Sequence, residues 1–175
     1  MHKHLPVSSQ SVFFVVVITV ILTTLGCAYY NYVQHQRIVD LITDHARAWE
    51  TGDLDLMLST VHDDIVFAYP GRRLDKAALV EDFKGFSESF TDTKIYVHDI
   101  ISRKDSVAVE WQFATTNNDG IRTAVSDGII GKVKDGKIVS WKVYLDGRVS
   151  RMQIAGELPL EEGALPFPWP QASGR

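Results

Sequence analysis

His45 stands at helical intervals from Ile38, Leu41, Ile42 and Trp49, so a titratable ring sits in the middle of an apolar stripe. A pKa near neutrality would let it act as a general base. The same place suits a core histidine whose ring nitrogen bonds one partner. Tyr69, directly before Pro70 and Gly71, offers a hydroxyl that can donate to a reacting oxygen or simply edge a pocket mouth. Asp127 and Glu110 are the carboxylates that could pair for acid–base work; on a sheet surface they read instead as a polar outer face or a subunit contact.

Other chemistries lack their residues. His35, His45, His62 and His98 show no metal-ligand spacing, and His2 and His4 precede a long apolar run. Cys27 is the only cysteine, so neither a disulfide nor a cysteine-based metal site can form within the chain. No glycine-rich loop follows a strand and opens a helix. No metal and no cofactor is therefore expected. A formal charge of −4, with no Lys/Arg cluster in the body, argues against a nucleic-acid partner.

The elements that must carry these residues can be read from periodicity and punctuation. Val33 to Thr51 is helical and stopped by Gly52, and Asp53 caps a short helix from Leu54 to Thr60. Ile65 to Tyr69 has strand composition, and Asp75 caps a third helix with the stripe Leu79, Phe83, Phe86 and Phe90. Lys94–Ile101, Ser106–Thr116, Ile121–Val133 and Lys137–Asp146 are rich in β-branched and aromatic residues, and the last three are separated by segments containing Asp-Gly. Helices first and antiparallel strands last predict an α+β domain.

Alternation along the strands sorts their faces. Val109, Trp111 and Phe113 share one apolar face, as do Trp141 and Val143. Hairpins with even-numbered loops would bring Ile130 to that inner face and leave Asp127 and Ile129 outside. The expected pocket is then Trp49, Phe67, Trp111, Phe113, Ile130, Trp141 and Val143, without an acid inside. A homodimer is expected through the outer sheet face at Glu110, Asp127, Ile129 and Tyr144, with Val125 and Ile138 beside them.

The N-terminus has a different character. No Asp, Glu, Lys or Arg lies between Lys3 and Arg37. Val12 to Tyr30, as a helix, would span about 28 Å, close to the hydrocarbon thickness of a bilayer. A single-pass membrane anchor at 12–30 is expected, behind a short tail at 1–11, with the domain on the extracytoplasmic side. Cleavage after Ala28 and lipidation of Cys27 are the alternatives. The folded domain is expected at 33–150. An extended tail at 157–175 carries Pro159, Pro166, Pro168 and Pro170.

Five strings in order carry a family resemblance: Ala48–Asp55 (AWETGDLD), His62–Val66 (HDDIV), Val107–Trp111 (VAVEW), Asp135–Val139 (DGKIV) and Trp141–Asp146 (WKVYLD). Together they resemble the SnoaL-like branch of the nuclear transport factor 2-like superfamily. The resemblance implies a curved sheet wrapped around a long helix as a cone with a pocket. Where limonene-epoxide-hydrolase-like members carry an Arg and two Asp, this chain is matched by Trp111, Phe113 and Val143. Where ketosteroid-isomerase-like members carry a Tyr and an Asp, it is matched by His45 and Tyr69. The chain departs from both, so the expectation leans away from catalysis, toward binding of a small hydrophobic molecule or a role as an assembly module. The rival is an isomerase or cyclase for a hydrophobic carbonyl compound, with His45 as base and Tyr69 as donor.

Overall fold

The computed structural model describes residues 9–158 and residue 160, so the expected tail at 157–175 lies almost wholly outside the described residues. The chain divides into two units, Met1–Arg37 and Ile38–Arg175. The first helix, α1, runs Ser9–Thr51. In the first unit it exposes Phe14, Ile18, Val20, Ile21, Leu22, Leu25 and Tyr29. The hydroxyls of Thr23 and Thr24 donate to the carbonyls of Thr19 and Val20 one turn back. Among the described residues no helix is long and apolar enough to cross a membrane. The side chains of residues 12, 13, 15 and 16, part of the expected anchor, fall outside that set.

In the second unit α1 ends where Gly52 takes a positive φ of 68°, a conformation that costs glycine nothing. Asp53 then caps α2, Leu54–Thr60, by accepting from the Leu56 N–H. The chain continues as β1, Val61–Tyr69, and β2, Arg72–Leu74. Asp75 caps α3, Lys76–Ser89, by accepting from the Ala78 N–H. The long strands β3, Phe90–Arg103, β4, Ser106–Asn117, β5, Arg122–Lys134, and β6, Lys137–Leu145, follow, and α4, Gly147–Ile154, closes the sequence. They form one sheet in the order β2-β1-β6-β5-β4-β3. β1 runs parallel to β6 and every other pair is antiparallel.

The predicted α+β class holds, with α4 and β2 as additions that the sequence did not announce. Gln153 of α4 makes a bridge of its own. Its carboxamide accepts from the Ala124 N–H and donates to the Ala124 carbonyl, at 2.9 and 3.1 Å. β6 pairs β5 only as far as Leu145 opposite Asp127, so this buried side chain satisfies a stretch of β5 edge that β6 does not reach.

The registers correct the expected faces. Thr116 pairs with Arg122, so the β4–β5 turn holds five residues, 117–121, and Trp111 lies opposite Asp127. The β5–β6 hairpin does close with two, Asp135 and Gly136, both at positive φ as the Asp-Gly signal requires. A bulge between Lys132 and Val133 then shifts the pairing by one. Asp127, Ile129, Val125 and Ile138, expected on the outer face, are therefore buried. Ile130, expected in the pocket, is 53% exposed. Of the residues assigned to a subunit contact, Glu110 and Tyr144 do face outward, beside Ile101 and Ile130.

The core of this unit packs α1 and α3 on the inner sheet face around Ile42, Trp49, Met57, Leu79, Phe83, Ile129 and Trp141. Gly131 is closely surrounded. A Cβ there would lie 2.9 Å from Val107 Cγ1, 3.0 Å from Trp141 Cε3 and 3.1 Å from the Ser140 carbonyl oxygen. Gly131→Ala is expected to lower stability by about 1–3 kcal/mol through overpacking. Gly128→Ala, with open space around it, should change stability by less than about 0.5 kcal/mol. Urea unfolding of the two variants checks the contrast, and equal losses would contradict it.

Candidate functional site

Inside the cone lies a chamber of about 250 Å³. Five of the expected pocket residues line it: Trp49 from α1, Phe67 from β1, Trp111 and Phe113 from β4, and Val143 from β6. Trp141 is not among them; it is fully buried below, with its ring 5.6 Å from that of Trp111. Ile130 points away on the outer face. In its place the chamber gains Val125, Leu145 and two carboxyls, Asp127 and Asp82.

Asp127 is the deep acid. It sits between Trp111 on β4 and Leu145 on β6, its direct cross-strand partners, so all three project to the same side. The Trp111 indole N–H donates to Oδ2 at 2.7 Å. Oδ1 is buried and has no hydrogen-bond partner among the described residues. Burial in this apolar wall raises the Asp127 pKa to about 6, the indole hydrogen bond pulling weakly the other way.

Asp82 is the acid at the rim. It accepts the Tyr69 hydroxyl at 3.1 and 3.2 Å and pairs with Arg72 at 3.3 Å. Burial, then the hydrogen bond to Asp82 and its charge, push the Tyr69 phenol up. Tyr69, Asp82 and Phe86 also line an outer cleft of about 560 Å³, so they form the wall between cleft and chamber. Asp82 was legible in principle. It lies three residues after Leu79 and four before Phe86, on the apolar stripe of α3 itself.

His45 is placed differently from a site residue. It is fully buried and does not line the chamber. The Trp49 indole, a donor only, gives its N–H to Nε2 at 3.2 Å. Nδ1 must then carry the proton and donate to Thr60 Oγ1 at 2.9 Å, and Thr60 donates on to the Met57 carbonyl. Burial lowers the His45 pKa to about 4, and the indole N–H facing Nε2 leaves no acceptor for a second proton. The ring is a neutral tie between α1 and α2. Among the described residues no three His, Cys, Asp or Glu side chains group as metal ligands.

These two buried groups act on stability in opposite senses. His45 titrates near 6.5 when unfolded and near 4 when folded, so its contribution is present above pH 6.5 and lost as pH falls toward 4. Asp127 titrates near 3.8 when unfolded and near 6 when folded, so its contribution is present below pH 3.8 and lost as pH rises through 6. Between pH 4 and 6 they offset each other. Asp127→Asn should therefore steepen the loss of stability on acidification, toward about 1.4 kcal/mol per pH unit. His45→Gln, less stable by about 1–3 kcal/mol, should instead gain relative stability as pH falls from 6 to 4. Urea titrations at several pH values test both slopes; parallel profiles would refute the assignment.

The SnoaL-like domain profile matches residues 42–141. No curated protein matches the sequence. Among solved structures, an LEH-like epoxide hydrolase from M. tuberculosis superposes with a TM-score of 0.63 at 17% identity, covering 70% of this chain and 92% of that one. AclR from Streptomyces galilaeus, a candidate hydroxylase, gives 0.60 at 23% identity over 71% and 98% of the two chains. IdmH from Streptomyces antibioticus, a candidate polyketide cyclase, gives 0.60 at 22% over 69% and 99%. At these identities the likeness is one of fold.

Proposed function

The chain belongs to the SnoaL-like domain family, and on that footing we propose that its cone is the active site of an acid–base enzyme acting on a small hydrophobic carbonyl compound, with Asp127 moving the proton. The observation that carries this reading is the Asp127 carboxyl, which lines an apolar chamber, has no hydrogen-bond partner for Oδ1 among the described residues and is raised to a pKa of about 6. A carboxyl so tuned changes protonation state near working pH, as general acids and bases do. Asp127 is among the residues that line the space a substrate would fill. Tyr69, already donating at the rim, is the group that can turn to a substrate carbonyl while Arg72 keeps Asp82 neutralised. His45 has no part in the chemistry under this reading, since both its nitrogens are engaged away from the chamber. The names of similar structures, an epoxide hydrolase among them, go with catalysis in such a cone.

Asp127→Asn should lower kcat by about 10² to 10⁴ while the thermal melt stays within a few degrees, because it keeps the shape and removes the base. The wild-type pH–rate profile should inflect near 6. Hydrogen exchange into D₂O at the carbon next to the carbonyl, followed by NMR on a panel of hydrophobic ketones, supplies the assay. Exchange that is undiminished in Asp127→Asn would end this reading.

We further propose that residues 12–30 tether the domain to a membrane, with the domain on the extracytoplasmic side. The uncharged run from His4 to Gln36 supports it, as do the exposed apolar side chains of α1 and the threonine hydroxyls satisfied on their own helix. The full chain should sediment with membranes and resist high salt. A chain beginning near Tyr32 should not. Intact mass separates an anchor from cleavage after Ala28 or a lipid on Cys27, and full-length protein in the salt-soluble fraction would contradict tethering.

A further inference from the structure

The chamber offers acceptors far more readily than donors. Its carboxyls are Asp127 and Asp82, and no Lys, Arg or His is among the described residues that line it. The Trp111 indole N–H is committed to Asp127 and that of Trp49 to His45. The Tyr69 hydroxyl is given to Asp82 and, at the rim, is the donor that could turn from that carboxyl to a ligand oxygen. Around these groups stand the rings of Trp49, Phe67, Tyr69, Phe86, Trp111 and Phe113. A ring face carries negative potential, and rings gathered about a carboxylate make a cage for an organic cation. Asp127 is 5% exposed, yet its Oδ1 has no partner among the described residues and no cation beside it.

We propose that the chamber takes a hydrophobic carbonyl compound bearing a protonated or quaternary amine next to the carbonyl, with the cationic nitrogen held by the Asp127 carboxyl and the surrounding aromatic rings. The inference rests on the reading that Asp127 moves a proton on a carbonyl compound, and it supplies what that reading lacks. An enolate oxygen in this chamber would meet one donor, the Tyr69 hydroxyl, where oxyanion sites usually aim several. A positive nitrogen on the neighbouring carbon acidifies the C–H and balances the enolate charge from within the substrate. The step closes without a co-reactant. The Asp127 carboxylate takes the proton from the carbon between nitrogen and carbonyl, the C–H pair becomes the enolate C=C, and the carbonyl π pair moves to oxygen. Replacement of the carboxyl proton by one from solvent, followed by its delivery from Asp127 to the same carbon with the electron pairs returning, completes exchange. The volume of 250 Å³ falls below the usual range of about 300–1,000 Å³ for drug-sized ligands, which points to a compact ligand rather than a polycycle.

The test titrates the full chain with phenacyltrimethylammonium and with its uncharged carbon isostere, phenyl neopentyl ketone, following tryptophan fluorescence and exchange into D₂O. The cation should bind about tenfold tighter or more than the isostere. That advantage should persist in Asp127→Glu and vanish in Asp127→Asn, with thermal melts showing that both variants fold. Equal or tighter binding of the ketone, or an advantage undiminished in Asp127→Asn, overturns the proposal. Asp127-dependent exchange of the ketone without a preference for the cation would also overturn it while leaving proton transfer in place. Preferential, Asp127-dependent binding of the cation without exchange would support the amine site and remove proton transfer.

Discussion

What faces the interior of β5 is decided by the number of residues in the turn before it. Asn117 fixes that number: its side-chain carbonyl accepts from the N–H groups of Asp119 and Ile121, and its backbone exchanges hydrogen bonds with Ile121 and Gly120. Side chains alternate strictly along a strand, so a turn one residue shorter would rotate the whole of β5 to its other face. Ser126, Gly128 and Ile130 would then point into the cone, and Asp127 and Ile129 into solvent. Five residues at 117–121 place Asp127 opposite Trp111.

That placement imposes a cost the rest of the chamber has to meet. A carboxylate moved out of water into an apolar wall is strongly disfavoured unless it is bonded, paired or protonated. Trp111 provides one bond to one oxygen, and its own position across the strand makes that bond nearly unavoidable. Val125, Val143 and Leu145 provide nothing polar. The other oxygen stays open, and the carboxyl answers by holding its proton to a higher pH. Strain of this kind, a buried polar atom without a partner, is tolerated where a ligand completes it.

The parts of this structure that were legible from sequence are those governed by local signals. The α1 stripe, the Asp53 and Asp75 caps, the stop at Gly52 and the Asp135-Gly136 hairpin each depend on a few adjacent residues, and each is where its chemistry puts it. Trp49, Phe67, Trp111, Phe113 and Val143 line the chamber because their strands and helix have one apolar face to bury. Asp127, Ile129 and Ile130 could not be placed in that way. Asp119-Gly120 and Asp135-Gly136 look alike, but the first sits in a five-residue turn and the second in a two-residue one. The bulge between Lys132 and Val133 leaves no composition signal at all. Parity is a sum of such choices along the chain, and a single miscount inverts every residue downstream. α4 was missed for a related reason, since its tie to the sheet runs through one side chain, Gln153, to a backbone far away in sequence.

One physical effect sorts the two candidate proton carriers. Loss of water penalises the charged form of either group, so it drives a base down and an acid up. For His45 the shift leads to silence: the neutral ring keeps both neighbours satisfied, and burial lowers its pKa to about 4, well below neutrality. For Asp127 the same shift leads toward use, because a carboxyl at about 6 changes state where a cell's pH can reach it. Sequence patterning alone favours the histidine, whose reference pKa already lies near neutrality. The fold reverses that preference by burying both groups and leaving an open atom on only one of them.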